Sequence, residues 1–327
     1  MIYKAFLNRQ EITGFPAKGK ETSEIWGGDT LLWKKSGVQD YFKFEYEGTI
    51  IFGIKGTNIS IDWGDGKKET FSNEYENAKL SNKDNYITHI PISDGRHITE
   101  IYGTNLEVQF GYSWISTTFG ALALTKVLSP LPRSSSKLLA YKFYECENLE
   151  SVPEDLFKNC ENATGALQTF MDTPKLKTIS EKLFDYTPKL QTASWTFRKS
   201  GIETIPGKLF SKCEELNNAT SCFQDCTGLK TAGDGFLSKQ KMIVMHGIFT
   251  GCSSLTKVGE DFFKNADPLS SENAWGFNSV FSGCTELTQA PNFYAKFPTL
   301  TDTQRTGRCY YKCEKLPFYS SLPDRWR

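Results

Sequence analysis

The chain has 327 residues, its 38 Lys and Arg balance its 38 Asp and Glu, and no stretch of basic residues stands out. That balance supplies no electrostatic footprint for nucleic acid or for an anionic membrane, so neither is expected as a partner. Nowhere do about 18 apolar residues run together, which excludes a membrane-spanning helix, and Met1-Ile-Tyr-Lys-Ala-Phe-Leu-Asn-Arg-Gln10 lacks the apolar centre of a signal peptide.

Residues 1–36 alternate apolar and polar side chains in Ile2-Tyr-Lys-Ala-Phe-Leu7, break at Asn8-Arg9 and resume in Thr30-Leu-Leu-Trp33. They predict a small β unit. The segment Gly28-Asp-Thr-Leu-Leu-Trp-Lys-Lys35 resembles N-terminal pieces of tail and surface proteins of gut bacteria and their phages, which implies attachment to a larger assembly. Residues 37–112 form a second β region centred on Ile59-Ser-Ile-Asp-Trp-Gly-Asp-Gly66, where Asp-Gly predicts a tight hairpin turn. The phrase Asp62-Trp-Gly-Asp-Gly66 resembles that of polycystic-kidney-disease-type Ig-like domains, and the resemblance implies a β-sandwich. Asp62 and Asp65 read as turn-capping residues rather than as a calcium or acid/base pair.

From residue 113 to 327 the sequence repeats. Phe143, Phe170, Phe197, Phe223, Phe249, Phe281 and Tyr310 recur roughly every 27 residues, with the two longest gaps after Phe249 and after Phe281. A second aromatic track, Phe157, Phe184, Phe210, Phe236 and Phe263, runs between them. An aliphatic track of Leu149, Leu176, Ile202, Leu229, Leu255, Leu287 and Leu316 follows the first. Such a period predicts a solenoid whose turns bury their apolar sides only by stacking. Val152-Pro-Glu-Asp-Leu-Phe-Lys-Asn-Cys160 reads as a proline-opened helical turn, and each repeat as a pair of short strand–turn–helix units. Phe119 with Leu124-Thr-Lys-Val127 reads as a degenerate first coil, and Leu322-Pro-Asp-Arg-Trp326 as a closing cap. The phrases from Phe143 to Cys160, Phe249 to Ala266 and Phe281 to Pro291 resemble BspA-like leucine-rich repeats of bacterial surface and phage tail proteins. The whole chain is therefore expected to be β-rich and modular, an Ig-like sandwich followed by a leucine-rich-repeat solenoid.

Seven of the nine cysteines hold two recurring positions, Cys146, Cys226, Cys252, Cys284 and Cys313 in one and Cys160 and Cys213 in the other, with Thr173, Thr187 and Ser200 standing in elsewhere. A position that accepts Cys, Thr and Ser wants a small side chain, so buried reduced thiols are expected and no metal site. Only three histidines exist, and no nucleophile elbow, P-loop or zinc-protease motif appears, so no catalytic residue and no cofactor is expected.

Aromatics off the ladders are the candidates for contact: Trp195, Trp275, Tyr294, Tyr311 and Trp326. Trp275, Tyr294 and Trp195 are the expected partner-binding residues, Trp275 first because it lies in the stretch inserted between Phe249 and Phe281. Repeats of this resemblance serve recognition and adhesion. The expectation is thus a non-enzymatic protein that engages a bacterial surface glycan or protein, as part of a phage or prophage tail and in that setting a homo-oligomer. The alternatives are a cell-surface adhesin and an intracellular or virion scaffold.

Overall fold

The computed structural model describes the backbone of residues 5–7, 10–13, 24–27, 30–34, 39–76, 86–111, 121–133, 136–267, 276–300 and 302–327. Phe119 and Trp275 lie outside these residues. The chain is β-rich with few helices. The first four strands, β1 (Ala5–Leu7), β2 (Gln10–Thr13), β3 (Glu24–Gly27) and β4 (Thr30–Lys34), pair antiparallel in chain order.

The next strands are β5 (Gln39–Glu47), β6 (Ile50–Asp62), β7 (Lys68–Phe71), β8 (Tyr86–His89), β9 (Arg96–Gln109) and β10 (Leu124–Val127). Instead of the two facing sheets that the Ig-like resemblance implies, their hydrogen bonds make a single six-stranded sheet in the order β10-β5-β9-β6-β7, with β8 also on β6. The physical reason lies in β6, whose register on β9 shifts at Lys55/Thr57 and again at Thr57/Ser60. Bulges bend a strand, so one sheet can close on its own core. Phe44 of β5, Phe52 of β6 and Phe110 at the end of β9 meet there, with ring centroids 5.2–5.4 Å apart.

The Asp62–Gly66 turn is locked by its own carboxylates. Asp62 accepts from the Gly64 N–H at 3.1 Å, and Asp65 accepts from Lys67 at 2.9 Å, from Ile92 at 3.0 Å and from His89 Nε2 at 2.8 Å. His89 in turn stacks on Trp63, centroids 4.2 Å apart and planes 4° from parallel. Gly64 is required: its φ is +79°, and a Cβ there would come 2.2 Å from the Ile98 carbonyl oxygen. Burial alone would raise the Asp65 pKa, but the two backbone donors and His89 bring it down to about 2. A depressed carboxylate stabilises above the unfolded-state pKa and loses that contribution as the pH falls through the folded value. Asp65 is therefore expected to supply about 2 kcal/mol at neutral pH, lost between about pH 4 and pH 2. Thermal melts across that window should fall more steeply for wild type than for Asp65→Asn; parallel curves would contradict this role.

The sheet runs straight into the repeats. β10, in the stretch read as the start of the solenoid, pairs antiparallel with β5 and lies parallel to Ser151 of the first coil through Lys126. Phe110 and Gly111 both donate to the Lys142 carbonyl, and buried Lys142 returns Nζ to the Val108 carbonyl at 2.9 Å. Arg96 of β9 pairs with Glu150 of the first coil at 2.6 Å and with Glu45 at 3.1 Å.

Beyond the joint, the coils stack in parallel through single bridges that run Leu138, Gly165, Thr192, Asn218, Val244 and Gly276. A second contact line includes β11 (Thr204–Ile205), β12 (Thr231–Ala232) and β13 (Lys257–Val258). The helical turns expected in each half-unit are single i→i+3 turns, such as Leu156 N–H to Pro153 O and Cys160 N–H to Phe157 O. The described α-helices, α1 (Phe293–Lys296) and α2 (Thr303–Thr306), come late and are four residues each. Left-handed residues in every coil, described below, stop a helix from propagating.

The aromatic ladder is longer than its repeat. From Phe143 to Tyr310 successive rings lie 5.1–6.1 Å apart. Phe110 adds a rung below at 6.0 Å, and Trp326 one above at 6.1 Å. Both ends of the ladder are thus extended by rings from outside the period, Phe110 joining it to the sheet core. In the second track the ring that stacks on Phe236 is Phe262 at 5.7 Å, while Phe263 turns to Phe293. Phe263 has φ +57°, which redirects its side chain from the track read in sequence.

All nine cysteines are free and buried. Cys226, Cys252, Cys284 and Cys313 each donate to the carbonyl of the ladder residue one coil earlier, at 3.0–3.1 Å. Thr173 and Thr187 use their hydroxyls on Phe170 and Phe184 of their own coils instead. Any small donor can cap these carbonyls, which explains the interchange of Cys, Thr and Ser. Burial pushes the Cys160 thiol up to about 11 and those of Cys226 and Cys313 to about 12. Because the thiolate is the nucleophile, the native protein is expected to resist iodoacetamide at pH 8 and to take up nine labels only when unfolded. Fast labelling of the folded chain would contradict that packing.

Candidate partner-binding face

Each coil turns sharply on either side of its ladder ring. The residues two before and two after have positive φ: Tyr141 (+58°) and Glu145 (+58°), Gln168 (+51°) and Asp172 (+58°), Trp195 (+55°) and Lys199 (+55°). The pattern continues through Ser221 and Asp225, Gly247 and Gly251, and Ser279 and Gly283, to Arg308 (+54°) and Lys312 (+63°). With this geometry, three N–H groups per coil point at the next coil. Trp195, Phe197 and Lys199, for example, donate to the carbonyls of Thr220, Cys222 and Gln224 at 2.8–2.9 Å. Glycine adopts this conformation without strain, whereas for an L-residue it costs roughly 1–2 kcal/mol.

Because the coils are in register, the side chains at these positions, and at the residue just after the ring, fall into columns on one face. Ion pairs between neighbouring coils show the alignment: Lys199 lies 3.7 Å from Asp172, and Arg198 3.6 Å from Asp225. Burial raises the Asp172 pKa against the pull of Lys199 and Arg198. Tyr141 and Tyr144 meet edge to face at 6.0 Å. Trp195 is half-buried and stands apart from the core cluster. Tyr311, at the far end of the face, is 39% exposed.

The sequence candidates separate. Trp195 is on this face. Tyr294 is half-buried and packs edge-on against Trp326 at 6.0 Å, so it covers the end of the core. Trp326 itself is a buried rung. Trp275 lies outside the described residues. Tyr141, Tyr144, Arg308 and Lys312 escaped sequence reading, although Gly247, Gly251 and Gly283 at the equivalent positions were a signal of left-handed backbone.

Among the described residues no group of three or more His, Cys, Asp or Glu could hold a metal ion, and no helix is long and apolar enough to cross a membrane. His246 Nδ1 lies 3.1 Å from the Asn278 carbonyl oxygen, and burial lowers its pKa.

No protein-family model matches the chain, and no curated protein matches it. Solved structures similar to part of it include the following two. One is a leucine-rich repeat protein from Bacteroides ovatus, 18% identical over 54% of this chain and 44% of that one, with a TM-score of 0.31. The other is the Toll–Spatzle complex of Drosophila, 10% identical over 51% of this chain and 26% of that one, with a TM-score of 0.19. The chain thus spans less than half the length of either.

Proposed function

We propose that the chain is a non-enzymatic recognition protein, a BspA-like leucine-rich-repeat solenoid that offers its column face to a glycan or protein on a bacterial envelope. In this reading the N-terminal strands attach it to a larger assembly, the tail of a phage or prophage. The observation that supports it is the size of the side chains held at left-handed positions. The same fold uses Gly247, Gly251 and Gly283 at equivalent points, so the coil does not need Trp195, Tyr141, Arg308 or Lys312 there. Unlike Phe263, whose ring at positive φ packs in the core, these side chains lie outside the core, and a bulky residue kept there at positive φ is an outlier that points to a use outside the fold.

Labelled full-length protein is expected to bind intact gut bacteria and their purified surface polysaccharide saturably, with unlabelled protein competing. If neither binds, the recognition reading fails and the weight moves to a structural role.

A further inference from the structure

Charge is shared unevenly along the column face. Its early coils carry Glu145 and Asp172, and the cations at its middle, Lys199 and Arg198, face Asp172 and Asp225. At the last coil Arg308 and Lys312 hold the two left-handed positions, and both are exposed. Neither has a carboxylate within ion-pair distance among the described residues. Their charged groups lie 5.6 and 5.3 Å from the Tyr311 ring centroid. An exposed phenol thus carries two cations over its ring, and among the described residues neither cation has an anion of its own. The coil before it presents Ser279, Ser282 and Gly283 at the matching positions, so no bulky side chain stands at those three positions on that side.

On the strength of the recognition reading above, we infer that Tyr311, Arg308 and Lys312 bind a carboxylate-bearing sugar of the uronic-acid kind within an extended polysaccharide. A pyranose ring lays its C–H face on a flat aromatic side chain with little entropy to lose. A carboxylate on the edge of that ring meets the guanidinium, whose planar fork suits it, and the ammonium as a point charge. One rigid sugar satisfies all three groups. The two backbone positions fit the assignment, since glycine would relieve their strain and abolish the charge.

The test titrates the full chain with polygalacturonate, neutral dextran and poly-glutamate, and repeats it with the Arg308→Gly/Lys312→Gly double variant and with Tyr311→Ala. Glycine is at home in the left-handed backbone of both positions, so the double variant is expected to melt at or above the wild-type temperature. Its affinity for polygalacturonate should fall about tenfold or more with two charged contacts removed, and wild-type binding should weaken as salt rises. Dextran should not bind. Undiminished binding by the double variant, or tighter binding of poly-glutamate than of polygalacturonate, would overturn the assignment. Protein that labels bacteria but ignores polygalacturonate would overturn this inference alone; protein that does neither would remove the recognition reading with it.

Discussion

Replacing Phe197 with Ala is expected to destabilise the protein by about 3–5 kcal/mol, the range for removing a buried ring and leaving a cavity. Phe197 is wholly buried and stacks between Phe170 at 5.3 Å and Phe223 at 5.1 Å. It also meets Phe184 of the second track edge-on at 6.3 Å, so its loss opens both tracks at once. Coils in a stack contact only their neighbours, and a weak middle coil interrupts everything on either side. Urea unfolding should show the midpoint drop, while Lys189→Ala on the surface should stay within about 0.5 kcal/mol of wild type. Comparable midpoints for the two variants would mean that the ladder does not carry the fold.

Gly111→Ala is expected to be nearly as damaging, on the order of 3 kcal/mol, through a different mechanism. A Cβ at Gly111 would lie 2.3 Å from the Tyr144 nitrogen and 2.5 Å from the Tyr141 and Tyr144 carbonyl oxygens. These are backbone atoms that cannot swing aside, so the end of β9 would be pushed off the first coil. Phe110 would leave its place under Phe143, and the Gln109 side-chain bond to the Tyr141 carbonyl, 2.6 Å long, would open. Because one core runs through the joint, wild-type residues 39–327 should unfold in a single transition reported alike by Trp63 in the sheet and Trp326 at the far cap. Two separated transitions in wild type, or a Gly111→Ala variant of unchanged stability, would show that sheet and coils are independent.

The repeat was legible because its physics is periodic. A ring that stacks on its copies must return at a fixed interval, and chance does not align three such tracks. Leu322 to Trp326 was legible as a cap, but the two end rungs of the ladder were not, for the same reason. Phe110 belongs to the alternation of a strand and Trp326 to a short C-terminal turn, and neither keeps the period. Phe262 and Phe263 are adjacent, so spacing could not choose between them; backbone φ decides. The Asp62–Gly66 turn was readable as a turn, whereas the His89 and Ile92 bonds to Asp65 bring together residues far apart in sequence.

The proposed binding face was the hardest part to read. Trp195 stood out as an aromatic off the ladders, whereas only the glycines at equivalent positions of other coils, Gly247, Gly251 and Gly283, hint that Tyr141 and Arg308 are left-handed. Their conformation is imposed by the N–H groups that each coil must aim at the next. Tyr294 and Trp326 have the composition of contact residues, and packing at the cap consumes them.

Large side chains held at strained positions for a partner's sake are the centre of the proposed function, and Trp195→Gly tests that most directly. Glycine meets the left-handed backbone there freely, and the relief of strain offsets the half-buried packing that is lost. Melting temperature and binding to purified envelope polysaccharide would be measured on the same sample. The expected result is a melting temperature within a few degrees of wild type and binding weakened about tenfold or more, as for loss of an aromatic contact at the centre of an interface. A variant that binds like wild type, or one that loses binding only because it no longer folds, would contradict the claim.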